Sequence, residues 1–293
     1  MRKKVLFIGM LVTLLFAFSG CGTKNERVVT LIMSDVQEGD HPTAQACDKF
    51  AELVKKRTNG KVVIEVYHGS TLGTEAEQIA QATVGGIDFV RVSSPVAAYY
   101  DDIKAFQALY LYSSEDDMWK VLDGEIGNEF LKAQQLKDNG LEGLCWVSGG
   151  SRNFYNNVRP ITSPEDLAGL TLRVNTDSMF AFLESCGAKG VNVSYNDIYN
   201  SIEAGTIDGA ENNWPSYIST GHYKVAPYIT VDEHTRRKHV SALIIDDFTL
   251  ISIRGYSKYI IVAVFHTVAH VIHHAIFKKI FFEYAMFMRS STE

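Results

Sequence analysis

Apolar and polar positions along most of the chain follow two alternating periods. Val28-Val29-Thr30-Leu31-Ile32-Met33 is a short continuous apolar run that reads as a buried strand. After Pro42, the apolar residues Ala46, Phe50, Leu53 and Val54 keep helical spacing until Thr58-Asn59-Gly60. Proline near the start and glycine just past the end is the asymmetry expected of a helix. Val62 to Tyr67 reads as a second strand. Thr74-x-x-Glu77 then gives a capping-box start to a helix that stops at Gly85-Gly86, and Ile87 to Val92 reads as a third strand. Strand, helix, strand, helix, strand in this rhythm predicts a parallel sheet with helices on its faces.

The rhythm changes further on. An amphipathic stretch around Trp119, Val121, Leu122, Ile126, Phe130 and Leu131 leads to strand Leu141 to Val147, near which the chain passes to a second lobe. Asn153 to Asn157 is extended, Ser163-Pro164-Glu165-Asp166 starts a short helix, and Leu172-Arg173-Val174 is a further strand. Helices are predicted from Phe180 to Ser185 and from Asn196 through Ala204. The stretch from Gly205 to Asn213 reads as a strand end running into a polar turn. The resulting fold class is α/β, two-lobed, with the ligand cleft between the lobes. In such sheets ligands bind beyond the carboxyl ends of the strands, so the loops after Met33, Tyr67, Val92, Val174 and Ile207 are expected to face one cleft.

Composition narrows the picture. The 293 residues, 46% hydrophobic and 21% charged, suit two compact lobes and exclude a mainly disordered chain. Met-Arg-Lys-Lys, an apolar run from Val5 to Phe18 and Ser19-Gly20-Cys21-Gly22 form an export signal too short to span a bilayer comfortably. Cysteine at the cut point resembles the lipobox of bacterial lipoproteins, although Phe18 stands where leucine is usual. Cys21 would then carry the lipid that holds the protein at a membrane surface. Cys47, Cys145 and Cys186 remain; an odd number outside any CxxC pattern reads as small apolar side chains. The chain has 34 acidic and 28 basic residues. Most of that acidity lies before Arg236, so an anionic ligand needs locally placed arginines and nucleic acid is not an expected partner.

Enzyme signatures are scarce: there is no GxSxG, HExxH, phosphate-binding loop or dinucleotide fingerprint. No cofactor or metal is implied. Arginines recur in strand-like surroundings instead, at Arg91, Arg152 and Arg173. Such a charge is either paired internally or turned to an anionic ligand, for which the planar guanidinium fork is well shaped. Asn212 and Asn213 offer donors and acceptors to hydroxyls or cap a turn; Trp214, Tyr195 and Tyr217 stack on a sugar or pack in a core. Glu75 and His41, each near a helix N-terminus, are caps or cleft residues.

Three segments carry a resemblance: Arg152-Asn153-Phe154-Tyr155-Asn156-Asn157-x-Arg159-Pro160-Ile161, Pro164-Glu165-Asp166-Leu167-Ala168-Gly169-Leu170-x-x-Arg173-Val174, and Asp208-Gly209-Ala210-Glu211-Asn212, with Gly69-Ser70-x-Leu72-Gly73 upstream. Over about residues 28 to 236 the chain resembles the solute-binding proteins of tripartite ATP-independent periplasmic (TRAP) transporters. The resemblance implies that Arg173 makes the main salt bridge to a ligand carboxylate and that Arg152 and Asn212 also touch the ligand. Asp88-Phe89-x-Arg91-Val92-Ser93 and Asn212-Asn213-Trp214-Pro215-Ser216-Tyr217 look like members that bind hexuronates, which adds Arg91 and Ser93 to the expected contacts. It further implies a permease pair as membrane partner. The expected organisation is a signal segment 1–21, lobe I 22–148, lobe II 149–231 and an atypical tail 232–293.

From Arg237 the tail departs from that family's pattern, and five of the nine histidines lie beyond Arg236. A broken coding frame near Arg236 accounts for this. Alternatives are a metal site on His266, His270, His273 and His274, or a membrane-lying helix from Ile260 to Ile280. Three rival readings stay open: an exported enzyme acting on acidic saccharides through carboxylates such as Asp208 and Glu211, a sensor sharing the same site, and a non-functional truncated relative of the binding proteins.

Overall fold

The computed structural model describes residues 28–235 and 241–246. The signal segment with Cys21, the four clustered tail histidines and the Ile260–Ile280 stretch lie outside the described residues.

Lobe I begins with β1 (Val29–Ser34), α1 (Pro42–Arg57), β2 (Val62–Tyr67), α2 (Glu75–Thr83) and β3 (Phe89–Arg91). Two 3-10 helices, α3 (Glu115–Leu122), α4 (Glu125–Leu131) and α5 (Gln134–Asp138) lead to β4 (Leu141–Val147). Lobe II contains β5 (Arg152–Asn156), β6 (Thr171–Arg173), α6 (Asp177–Ser185), β7 (Lys189–Val191), α7 (Ile198–Glu203), β8 (Gly209–Asn213), α8 (Trp214–Ser219) and β9 (Tyr228–Thr235). Local chemistry sets the helix starts. His41 caps α1 by accepting from the Thr43 amide, and Thr74 with Glu77 forms a complete capping box on α2.

The two sheets have matching plans. Lobe I is ordered β2-β1-β3-β10-β4 and lobe II β7-β6-β8-β5-β9, with β10 at Ser241–Asp246. In each, the first three strands are parallel and the fourth runs antiparallel to both of its neighbours. The fourth strand of each sheet follows the last strand of the other lobe, so the chain crosses between lobes after β4 and again after β9. The parallel sheet expected from the sequence is therefore mixed. The stretch assigned to an atypical tail also differs: β9 runs to Thr235 in lobe II, and Ser241–Asp246 returns to lobe I with strands on both sides.

Each sheet has a core on either face. Leu31, Met33 and Phe89 pack with Cys47, Phe50 and Val54 of α1, while the neighbouring Val90 turns to Ile79, Phe106 and Trp146. In lobe II, Phe154, Leu172 and Leu183 form one core, and Tyr155, Ile198 and Tyr217 the other. Fully burying one such side chain contributes about 1.5–3 kcal/mol. The expected polar turn at the end of 205–213 is instead the middle strand β8, with all five residues buried. A polar strand survives there because β5 supplies partners, and because Gly209 lets it approach: a Cβ at Gly209 would lie 2.0 Å from the Tyr155 carbonyl oxygen. Cys47 is buried, whereas Cys145 and Cys186 are half-buried, and none of the three is joined in a disulfide among the described residues.

Candidate functional site

The carboxyl ends of β1 and β3 bring three charged side chains of lobe I together. Arg91 Nε and Nη2 each lie 2.7 Å from Asp35 Oδ1, and the Gln37 amide donates to the same oxygen. Both side chains are buried. Burial works against the Arg91 charge, but Asp35 and Glu75 outweigh it and hold the pKa above its usual value. Glu75 stands at the start of α2 and takes both the amide and the hydroxyl of Ser93, the latter at 2.8 Å. Burial raises the Glu75 pKa against the opposing pull of Arg91 and Ser93.

In lobe II, β5 and β8 pair antiparallel with Arg152 opposite Asn213 and Asn153 opposite Asn212. The Arg152 guanidinium grips both carboxylate oxygens of Glu211 and donates 3.1 Å to Asn212 Oδ1. His234 on β9 joins them, with Nε2 3.4 Å from Glu211 Oε2 and Nδ1 2.6 Å from Asp232 Oδ2. Burial tends to raise the Glu211 pKa, yet Arg152 and His234 bring it to about 2. Burial opposes charging of His234, but its two carboxylate partners raise its pKa.

Arg173 differs from both. It ends β6 at 6% exposure, and its Nε donates 3.0 Å to the Val193 carbonyl. No carboxylate lies within ion-pairing distance of it among the described residues. Burial, with the charge of Arg152 adding to it, lowers the Arg173 pKa; Glu211 offsets this only in part. Of the three strand arginines, two have internal carboxylates and the third has none. A buried cation without a counter-charge is costly, which is the physical mark of an anion position.

The lobes meet at the strand ends. Tyr195 Oη donates 2.6 Å to Gln37 Oε1, Ser70 Oγ donates 3.0 Å to Asn196 Oδ1, and His41 Nε2 lies 3.2 Å from Ser216 Oγ. His41 is thus both cap and cleft residue. Because its Nδ1 accepts from the Thr43 amide, the ring is neutral with its proton on Nε2. Burial and then the Arg91 charge lower its pKa to about 3.

Five expected site residues, Arg91, Glu75, Ser93, Arg152 and Asn212, form two internal networks that face each other, with Arg173 and His41 between the lobes. Sequence reading did not single out Asp35, Gln37, Ser216 or His234. Asp35 and Gln37 lie in the loop after β1, which the strand-end rule had already marked. Tyr217 is a core residue, 4% exposed and bonded to the Ala226 carbonyl, so it does not present a stacking face. Asp208, considered for acid–base work, accepts from the Thr171 amide at 2.7 Å, and Glu211 is locked to Arg152.

Comparison with known proteins agrees with this architecture. The family described as "Bacterial extracellular solute-binding protein, family 7" matches residues 33–273, beyond the point near Arg236 where the sequence reading ends the resemblance. A solute-binding protein of Chromohalobacter salexigens is 35% identical over 202 residues, 68% of this chain; the match spans 60% of that protein's length. A TRAP periplasmic solute-binding protein of Citrobacter koseri with bound D-glucuronate superposes with a TM-score of 0.80 at 29% identity, covering 89% of this chain and 86% of that one. One from Xanthobacter autotrophicus with bound β-D-galacturonate gives 0.77 at 30% identity, covering 83% and 80%. On the extent of these matches and the shared two-lobed plan, this chain belongs to the bacterial extracellular solute-binding proteins of family 7.

Proposed function

We propose that this protein captures a sugar acid outside the cytoplasm, a hexuronate such as glucuronate or galacturonate, and delivers it to a TRAP-type permease. The observation that carries this reading is Arg173, a buried guanidinium with a backbone carbonyl for its partner and no carboxylate. A ligand carboxylate supplies the missing charge and accepts the two parallel hydrogen bonds that a guanidinium fork offers. Arg152 holds Asn212 and Glu211 in place beside it, and Asn212 presents an amide to the ligand. From lobe I, Arg91, Glu75, Ser93 and His41 meet the hydroxyl-bearing end.

The solved relatives from Citrobacter koseri and Xanthobacter autotrophicus hold hexuronates, which supports the same ligand class here. Closure is driven by contacts made only in the shut state, and in this reading Tyr195–Gln37 and His41–Ser216, which bridge the lobes, serve as such contacts. Cys21 is the lipid attachment point in this reading, and the anchored protein works at the outer face of the membrane.

A thermal-shift screen of the chain lacking residues 1–21 against glucuronate, galacturonate, aldonates, sialate and C4-dicarboxylates tests the proposal. A ligand bound only by the folded state raises the melting temperature. A rise with hexuronates supports the reading; a rise with C4-dicarboxylates alone overturns it.

A further inference from the structure

The two walls of the cleft carry opposite excess charge. On the lobe II side, Arg152 and Glu211 satisfy each other and Arg173 is left positive. On the lobe I side, one guanidinium, Arg91, stands against two carboxylates, Asp35 and Glu75. Asp35 spends only Oδ1 on Arg91 and Gln37; its Oδ2 has no hydrogen-bond partner, although the residue is 0% exposed. Across the cleft, Asn213 uses Oδ1 to cap α8 through the Ser216 amide at 2.7 Å, and its Nδ2 is likewise buried and unpartnered. Tyr195 of lobe II hydrogen-bonds Gln37, two residues beyond Asp35, and His41 of lobe I lies 3.2 Å from Ser216, whose amide donates to Asn213, so both unpartnered atoms belong to segments that meet at the junction of the lobes.

An unpaired acceptor on one lobe and an unpaired donor on the other suit a hydroxyl group, which both donates and accepts. A carboxylate matches it poorly, because it accepts only and brings a second negative charge to Asp35 and Glu75. We propose that Asp35 and Glu75 form an anionic pole that selects sugar acids with one carboxylate and rejects those with a second carboxylate at the far end. Specificity of this kind comes from repulsion built against the wrong ligand as much as from contacts with the right one. The inference rests on the proposed role of Arg173 as the anchor of the first carboxylate.

The test is titration calorimetry on the full chain with two open-chain acids differing only in one terminal carbon, D-gluconate and D-glucarate, beside D-glucuronate and D-galacturonate with galactarate. The expected result is that each aldarate binds about 100-fold more weakly than its monocarboxylate counterpart. Asp35→Asn and Glu75→Gln should each shrink that ratio to below about 10-fold. An aldarate that binds the unaltered protein as tightly as its monocarboxylate overturns the proposal. So does an unchanged ratio in a variant whose ligand-free melting shows that it is folded. If a variant does not fold, the ratio in the unaltered protein decides alone. Binding of uronates without discrimination against aldarates defeats only this inference, whereas no binding of any acid defeats the hexuronate reading and this inference with it.

Discussion

Tyr195 Oη on lobe II stands 2.6 Å from Gln37 Oε1 on lobe I, a hydrogen bond that ties the two lobes together. Gln37 is buried and Tyr195 half-buried, and desolvation pushes the tyrosine pKa up to about 12, so Tyr195 is a neutral donor throughout the physiological range. Tyr195→Phe removes the donor and leaves Gln37 Oε1 without it. Affinity should fall by about 1–2 kcal/mol, the cost of one unsatisfied buried acceptor. The loss should fall on the dissociation rate, because the bond forms after docking. Stopped-flow measurement with a hexuronate checks this, and a pure loss of association rate would contradict it.

Arg173→Gln should abolish tight binding while leaving the fold intact. The arginine has no internal carboxylate to orphan, so removing it relieves a desolvated charge instead of breaking a pair. Affinity for a hexuronate should drop by about 2–5 kcal/mol, and the ligand-free melting temperature should hold or rise. Equal affinity in the variant would move the anion position elsewhere.

Glu211→Gln should behave in the opposite way. Arg152 then loses both carboxylate oxygens while remaining buried, and His234 loses one of its two carboxylates. Breaking a buried pair by removing one partner costs about 3–5 kcal/mol of stability. Urea denaturation of the ligand-free protein gives the value, and a change below about 1 kcal/mol would mean that Arg152 finds another partner.

Much of this site was legible beforehand, and the gaps have definite causes. Helix starts at Pro42 and Thr74 followed from capping chemistry, since a local hydrogen bond needs only local sequence. The strand setting of Arg91, Arg152 and Arg173 marked them as costly charges, but which would be paired depended on partners 56 and 59 residues away. No spacing rule reaches that far. Strand β8 was misread because Glu211-Asn212-Asn213 is polar in composition and buried only through its pairing with β5. Strand β10 was missed for the converse reason: its segment looked foreign in composition, yet it fills a slot in the sheet of the other lobe.

His41 provides a pH test with a defined sign. Its folded pKa of about 3 lies below the ordinary histidine value of 6.5, because burial and then Arg91 disfavour the charged ring. Below pH 6.5 the unfolded chain takes up a proton that the folded chain refuses, so stability is full above 6.5 and is lost as the pH falls toward 3. His222, lowered to about 4 by burial and then by Arg173, acts in the same direction over a narrower range. His234, with a raised pKa, acts oppositely: its contribution is present below 6.5 and disappears as the pH rises through its folded value. His41→Asn keeps a side chain suited to cap α1 but removes the titration. The melting temperature of this variant should therefore fall less steeply than that of the unaltered protein between pH 6.5 and 4. Parallel curves would mean that the lobes part in acid before the protein unfolds, letting His41 charge in the open state without cost to the fold.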